Sequence, residues 1–193
     1  MKIDHIYQLF QQSSGVCTDT RSLDKNQLFF ALKGSSFNGD DFALEAIKNG
    51  ASYAIVSKSC KDKNDKIIPV SDPLKTLQDL ARFHRDRFEI PVIGLTGSNG
   101  KTTTKELINA VLSSEYETLC TQGNLNNHIG VPLTTLRLQP THEIAIIEMG
   151  ANHQGEIAEL CRIANPNLGL ITNFGKAHLE GFGGIEGVVK GKS

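Results

Sequence analysis

The sequence predicts an α/β protein: a small N-terminal α/β domain followed by a parallel-sheet domain built on a phosphate-binding loop. Three observations carry this. Strand-like apolar runs alternate with helix-like segments, most regularly in the second half, the pattern that yields a parallel sheet covered by helices. One such run, Val92, Ile93 and Leu95, breaks into Gly97-Ser98-Asn99-Gly100 and then into a helix. The composition, 39% apolar and 21% charged over 193 residues, is that of a globular chain with room for one large domain or two small ones.

The elements follow in order. Ile3, Ile6, Leu9 and Phe10 predict a short amphipathic helix over 3–12, ended by Gly15. After Val16-Cys-Thr-Asp-Thr-Arg21, residues 27–32 read as a strand and 33–39 as a polar turn. Asp40 or Asp41 is expected to cap a helix carrying Phe42, Leu44, Ala46 and Ile47, stopped at Gly50. Strands are expected at 53–56 and 67–70 around a charged loop. Ser71-Asp72-Pro73 then starts a helix running to about Phe88, with Leu74, Leu77, Leu80, Ala81 and Phe83 inward. Glu89-Ile90-Pro91 marks the expected boundary between domains 1–88 and 89–193. In the second domain, strands at 91–96, 117–121, 143–149 and 168–173 alternate with helices at 101–114 and 154–164. Leu107, Ile108, Val111 and Leu112 form one face of the first helix, and residues 121–132 form a loop.

Composition narrows the partners. A net charge of −1 gives no electrostatic reason to expect nucleic acid or an anionic membrane. Cys17, Cys60, Cys120 and Cys161 lack C-x-x-C spacing, so neither a zinc site nor a disulfide framework is expected, and a cytoplasmic location fits. The first residues lack the apolar core of a signal peptide, and no apolar run approaches the ~20 residues of a membrane span.

Ligands of parallel α/β sheets sit at the carboxyl ends of strands, which selects the candidate residues. A strand, a glycine-rich turn and a helix N-terminus form an anion site through backbone N–H groups and the helix dipole. Lys101 can reach the outer phosphates of a nucleotide, and the Thr102 hydroxyl can sit on Mg2+. The strict phosphate-loop pattern wants a glycine where Leu95 stands; Gly94 is one place off. Glu148 ends an apolar strand where such proteins hold Mg2+. His178 follows the strand 168–173 and could ligate a metal or bind phosphate, while Asn124, Asn126 and Asn127 offer amides to a substrate or hydrated ion.

Four blocks together resemble the Mur ligase family: Thr96-Gly-Ser-Asn-Gly-Lys-Thr-Thr103, Gly123-Asn-Leu-Asn-Asn-His-Ile-Gly-Val-Pro132, Ile147-Glu-Met-Gly-Ala-Asn-His-Gln-Gly-Glu156 and Ala177-His-Leu-Glu-Gly-Phe-Gly183. Cys17-Thr-Asp-Thr-Arg21 and Leu28-Phe-Phe-Ala-Leu-Lys-Gly34 resemble that family's N-terminal uridine-nucleotide domain, so the resemblance covers essentially the whole chain. The long Glu-Met-Gly-Ala-Asn-His block separates it from sister ligases and points to the branch that joins D-Ala-D-Ala to UDP-MurNAc-tripeptide. The resemblance implies that ATP phosphorylates the tripeptide carboxylate, and that the amine of D-Ala-D-Ala attacks the acyl phosphate. The product is a peptidoglycan precursor. Two anions must approach each other, so cations must neutralise them.

The implied ATP-binding set is Thr96, Gly97, Ser98, Asn99, Gly100, Lys101, Thr102 and Thr103. Thr102 and Glu148 are implied ligands of one Mg2+ and His178 of a second, with His153, Asn126 and Asn127 lining the same cleft. The family's carbamylated lysine falls on Lys192, with Lys190 as a second candidate; Lys101, Glu148, His178 and Lys192 form the catalytic set. Thr20, Arg21, Lys33, Gly34, Asn38 and Gly39 are the expected uridine diphosphate contacts, Arg21 and Lys33 suiting a diphosphate electrostatically.

Two departures stand out. His128 occupies a position where an acidic residue is expected. The third, C-terminal domain of the family is absent from the sequence, as are the later strands of the ATP domain, so this chain alone is expected not to complete the reaction. The rival readings are another Mur or folylpolyglutamate-type ligase, which a substrate panel separates, and a non-catalytic module binding a nucleotide or UDP-sugar, marked by binding without phosphate release. A generic phosphate-loop kinase or GTPase is weakened by the lack of an Asn-Lys-x-Asp sequence.

Overall fold

The computed structural model describes residues 2–175 and 179–192. The chain forms two compact units, Met1–Phe83 and His84–Ser193. Each is built on a four-stranded sheet in which every pairing is parallel.

In the first unit the elements are α1 (Ile3–Gln11), β1 (Val16–Cys17), a 3-10 turn (Thr20–Ser22), β2 (Leu28–Phe30), a second 3-10 turn (Gly39–Phe42), α2 (Ala43–Lys48), β3 (Tyr53–Ser57) and β4 (Ile67–Val70). α3 (Pro73–Arg85) follows, its last turn crossing into the second unit. The sheet order is β1-β2-β3-β4. Leu28, Phe29 and Phe30 are all buried, as expected of an inner parallel strand covered on both faces. Ala43 and Ala46 of α2 bring that helix close to Phe29, Ala54 and Val56, making one core. Asp72 caps α3, accepting from Lys75 N at 3.0 Å, with Pro73 at the first helical position, where its missing N–H costs nothing.

One capping expectation is corrected here. Neither Asp40 nor Asp41 caps α2. Asn38 caps the 3-10 turn before it, and α2 begins after Phe42 without a side-chain cap. Asp40 is buried instead, accepting from Ser57 N at 2.9 Å and from the Ser57 hydroxyl. The strand below offers it better donors than the helix end.

The second unit contains β5 (Val92–Thr96), α4 (Lys101–Leu112), β6 (Thr118–Cys120), α5 (Gly130–Thr135), β7 (Ile144–Glu148), α6 (Glu156–Ala164), β8 (Leu168–Ile171), α7 (Leu179–Phe182) and α8 (Ile185–Lys192). Its sheet runs β6-β7-β5-β8, placing the carboxyl ends of β5 and β7 side by side, with Leu95 opposite Glu148. Arg85 is buried at the base of this unit. Its guanidinium donates to Phe88 O at 2.5 Å, Ala164 O at 3.1 Å, Asn165 O and Asn167 Oδ1 at 3.2 Å, and Ile90 O at 3.4 Å.

Two further expectations change. The amide-rich loop runs into a helix, α5, at Gly130; Asn127 Oδ1 accepts from the Ile129 and Gly130 N–H groups and holds the turn that leads into it. Leu107 and Val111 are not inward: they are 64% and 71% exposed, and the buried side chain of α4 is Lys105.

Candidate active site

β5 delivers the chain into the glycine-rich loop. Gly97 has φ +141° and Gly100, which precedes α4, has φ +76°, conformations that side-chain-bearing residues rarely adopt. The loop is braced from the end of β8. Ser98 N donates to Asn173 O at 3.0 Å, and Thr172 Oγ1 donates to Asn99 O at 2.7 Å. Asn173 also receives Asn99 N on its Oδ1 at 3.1 Å and donates Nδ2 to Asn99 O at 3.0 Å. Gly175 N donates to Ser98 Oγ at 2.9 Å. Sequence reasoning did not assign Thr172, Asn173 or Gly175; their signal was a polar pair at a strand's carboxyl end. Lys101 Nζ curls over the loop, donating to Gly97 O at 2.9 Å and Ser98 O at 3.3 Å. A phosphate oxygen is a stronger acceptor for that amine than either carbonyl. Thr103 is exposed on the first turn of α4, and Thr96 is buried with its hydroxyl lacking a partner.

Glu148 faces this loop and is 1% exposed. Its Oε1 accepts from Asn126 Nδ2 at 2.7 Å and Thr102 Oγ1 at 3.4 Å, while its buried Oε2 has no hydrogen-bond partner. A buried carboxylate oxygen left without a donor is costly, and a hard divalent cation satisfies it. The Thr102 hydroxyl and Glu148 carboxylate are therefore a donor set that fits Mg2+. Among the described residues no three His, Cys, Asp or Glu converge. Asn127 does not share the position of Asn126, since its side-chain oxygen is engaged at the start of α5.

Beside α6, Glu156 gathers the turn before it. Its Oε2 accepts from Asn152 N at 2.6 Å and His153 N at 3.1 Å, and its Oε1 lies 3.1 Å from His153 Nδ1. Burial pushes the Glu156 carboxyl up, and these hydrogen bonds outweigh it, so the group titrates below its usual range. Lys192, on α8, is 3% exposed, with its Nζ 5.2 Å from the centre of the Phe182 ring. Burial, then repulsion from Lys101, lowers its pKa, and Glu156 opposes this. Lys192 thus feels both Lys101 and Glu156 electrostatically, whereas Lys190 is exposed. His178 lies outside the described residues.

In the first unit a cavity of about 530 Å³ is lined by Thr18, Asp19, Thr20, Arg21, Phe29, Phe37, Gly39, Phe42 and Glu45. Of the six expected residues, Thr20, Arg21 and Gly39 line it. Asn38 caps the adjoining 3-10 turn and pairs across to Lys33, and Gly34 lies under the Phe37 ring, where a Cβ would come within 2.3 Å of it. Arg21 is held by Asp19, with its Nη2 2.6 Å from Oδ2; that guanidinium, with the Arg21 N–H, lowers the Asp19 carboxyl to about 2. Phe37 and Phe42 were not anticipated as lining. Both are partly exposed aromatics, and such rings at a cavity mouth suit a flat base.

Two family models match the chain: the Mur ligase middle domain over residues 95–193, and the Mur ligase family catalytic domain over residues 12–85. The chain belongs to the Mur ligase family. Among curated Mur ligases, the UDP-N-acetylmuramoyl-tripeptide–D-alanyl-D-alanine ligase of Escherichia coli (strain K12) is 47% identical over 177 residues, covering 92% of this chain and 39% of that protein. The enzyme of the same name from Bacillus subtilis (strain 168) is 45% identical over 180 residues, again 92% of this chain and 39% of the relative. The chain therefore spans about two fifths of the length of the curated relatives it matches. Two solved Mur ligases have the same fold. The MurF structure from Acinetobacter baumannii superposes with a TM-score of 0.86 at 36% identity, covering 99% of this chain and 45% of that one. MurF from Thermotoga maritima in complex with ADP also gives 0.86 at 36% identity, covering 100% and 43%. No helix among the described residues is long and apolar enough to cross a membrane.

Proposed function

We propose that this chain supplies the uridine-nucleotide cradle and the ATP-phosphate cradle of a ligase that joins D-Ala-D-Ala to UDP-MurNAc-tripeptide. The observation that carries the reading is the Glu148 carboxylate, buried at the phosphate loop with one oxygen unpartnered and the Thr102 hydroxyl beside it. The names of the relatives support the substrate class, and the ADP complex of one neighbour supports the nucleotide.

In this reading, the loop amides and Lys101 hold the β- and γ-phosphates of ATP and orient the γ-phosphorus toward the tripeptide carboxylate. Glu148 and Thr102 would hold Mg2+, which neutralises phosphate charge as the carboxylate approaches. Asn126 fixes the orientation of Glu148. His178 is proposed at a second metal, and Thr103 and His153 at the margins of the site. The buried, depressed Lys192 amine favours the neutral form that adds CO2 with loss of a proton, the chemistry of the proposed carbamate. In the first unit, Phe37 and Phe42 flank the uracil while Thr20 and Arg21 meet the diphosphate. Completing the ligation is proposed to require what the remaining length of the relatives provides.

Calorimetric titration of the chain with UDP-MurNAc-tripeptide, in parallel with shorter UDP-MurNAc peptides and with UDP-sugars lacking the peptide, tests the substrate assignment. Saturable binding of the tripeptide form, weakened by Phe37→Ala, is expected. Equal affinity for all UDP-sugars would replace the ligase reading with that of a simple nucleotide-sugar binder.

A further inference from the structure

Among the described residues, the most deeply buried cation of the second unit has no part in the chemistry described above. Lys105 is 0% exposed, although it sits on a helix whose Leu107 and Val111 face outward. Its Nζ donates to Thr121 O at 2.6 Å and lies 2.7 Å from Glu106 Oε1. Replacing a buried polar cluster by apolar side chains of similar volume is often neutral or stabilising, so stability alone gives little reason for a lysine here.

What it touches supplies a reason. Lys105 follows Thr102 by one turn on the same face of α4. Thr121, its acceptor, is buried at the end of β6, and Thr121 Oγ1 accepts from Glu148 N at 2.9 Å. Thr121 N is itself fixed to Ile146 O at 3.0 Å. One residue therefore receives the helix that carries Thr102 and the strand that carries Glu148. The Thr102 hydroxyl and Glu148 carboxylate stand 3.4 Å apart, and Lys105 and Thr121 bridge the two elements that carry them.

We propose that Lys105 is a positioning residue for the metal–nucleotide site, acting through Thr121 on the relative placement of Thr102 and Glu148. The inference rests on the reading of that pair as Mg2+ ligands. Partners behind metal ligands commonly change metal affinity by about tenfold to a hundredfold when removed.

The test is Mg2+ titration of ATP binding to the full chain, followed by calorimetry, for the parent, Lys105→Met, Lys105→Arg and Thr121→Val. Circular dichroism and a thermal melt without metal establish folding. Lys105→Met is expected to raise the half-saturating Mg2+ concentration by about tenfold or more while Mg2+-free ATP binding changes little. Lys105→Arg should recover most of the loss, and Thr121→Val, which keeps the lysine but removes the hydroxyl beneath Glu148, should shift the Mg2+ requirement in the same direction. Folded Lys105→Met with the parent Mg2+ requirement overturns the proposal, as does an equal loss with and without Mg2+. If Lys105→Met does not fold, Thr121→Val decides: an unchanged Mg2+ requirement there overturns it. A parent chain whose ATP binding ignores Mg2+ overturns the underlying reading of Thr102 and Glu148 instead.

Discussion

Replacing Gly97 by alanine tests whether the loop geometry holds nucleotide. Gly97 has φ +141°, and a Cβ added there would lie 2.0 Å from Thr172 Oγ1 and 3.0 Å from Thr172 N. No neighbour can absorb a 2.0 Å contact in place. Either Thr172 withdraws, breaking its 2.7 Å bond to Asn99 O, or the loop leaves the position that aims its N–H groups. Alanine at such a φ costs about 1–3 kcal/mol, and the lost hydrogen bond adds about 1 kcal/mol. If most of this falls on the bound state, ATP affinity drops roughly 30- to 700-fold, since 1.4 kcal/mol is about tenfold. Calorimetry with Mg2+ and ATP reads the loss. Gly97→Ala/Thr172→Ala should bind more tightly than Gly97→Ala, because the worst contact is gone, yet below the parent, because the φ strain and the contact with Thr172 N persist. Gly97→Ala binding within threefold of the parent would refute the reasoning.

Other outcomes follow from the same structure. Arg85→Met removes the buried donor to five acceptors, of which Asn167 Oδ1 keeps another donor in Val92 N, and should cost about 3–5 kcal/mol in urea unfolding, with Arg85→Lys recovering little because an ammonium lacks the planar fork. Burial lowers the His84 pKa below its usual 6.5, against the opposing bond to Leu138 O at 2.9 Å. The unfolded chain then takes a proton first, so the His84 contribution is complete above pH 6.5 and is lost as pH falls through and below it. Urea midpoints between pH 7.5 and 5.5 should fall in the parent and fall less in His84→Gln; identical slopes would count against this. Phe37→Ala/Phe42→Ala should weaken binding of the UDP-sugar peptide by roughly tenfold or more through lost base stacking, leaving ATP binding unchanged.

The phosphate loop was legible because its signal is local. An apolar strand, two glycines, Lys101 and Thr102 are contiguous, and the structure places that run at a strand end and a helix N-terminus, the geometry on which the anion site is proposed. Glu148 was legible for the same reason, as a carboxylate ending an apolar strand. What was not legible depends on contacts distant in sequence. The braces from Thr172, Asn173 and Gly175 arise only when β8 pairs with β5. The burial of Lys105 rather than Leu107 and Val111 on α4 could not be read from periodicity, because Lys105 finds its acceptor on Thr121, just past the end of β6. α5 was hidden by the turn before it, since an asparagine whose side chain holds such a turn has the composition of a loop. Phe37 and Phe42 read as generic apolar residues until the first unit folded them around a cavity.

The most direct measurement of the central claim is calorimetric titration of ATP into the parent and into Glu148→Gln, each with and without Mg2+. The account predicts that Mg2+ strengthens ATP binding to the parent, and that Glu148→Gln loses this strengthening while retaining the metal-free affinity given by the loop amides and Lys101. Equal strengthening by Mg2+ in both proteins would contradict the assignment of Glu148 as the carboxylate that holds the metal.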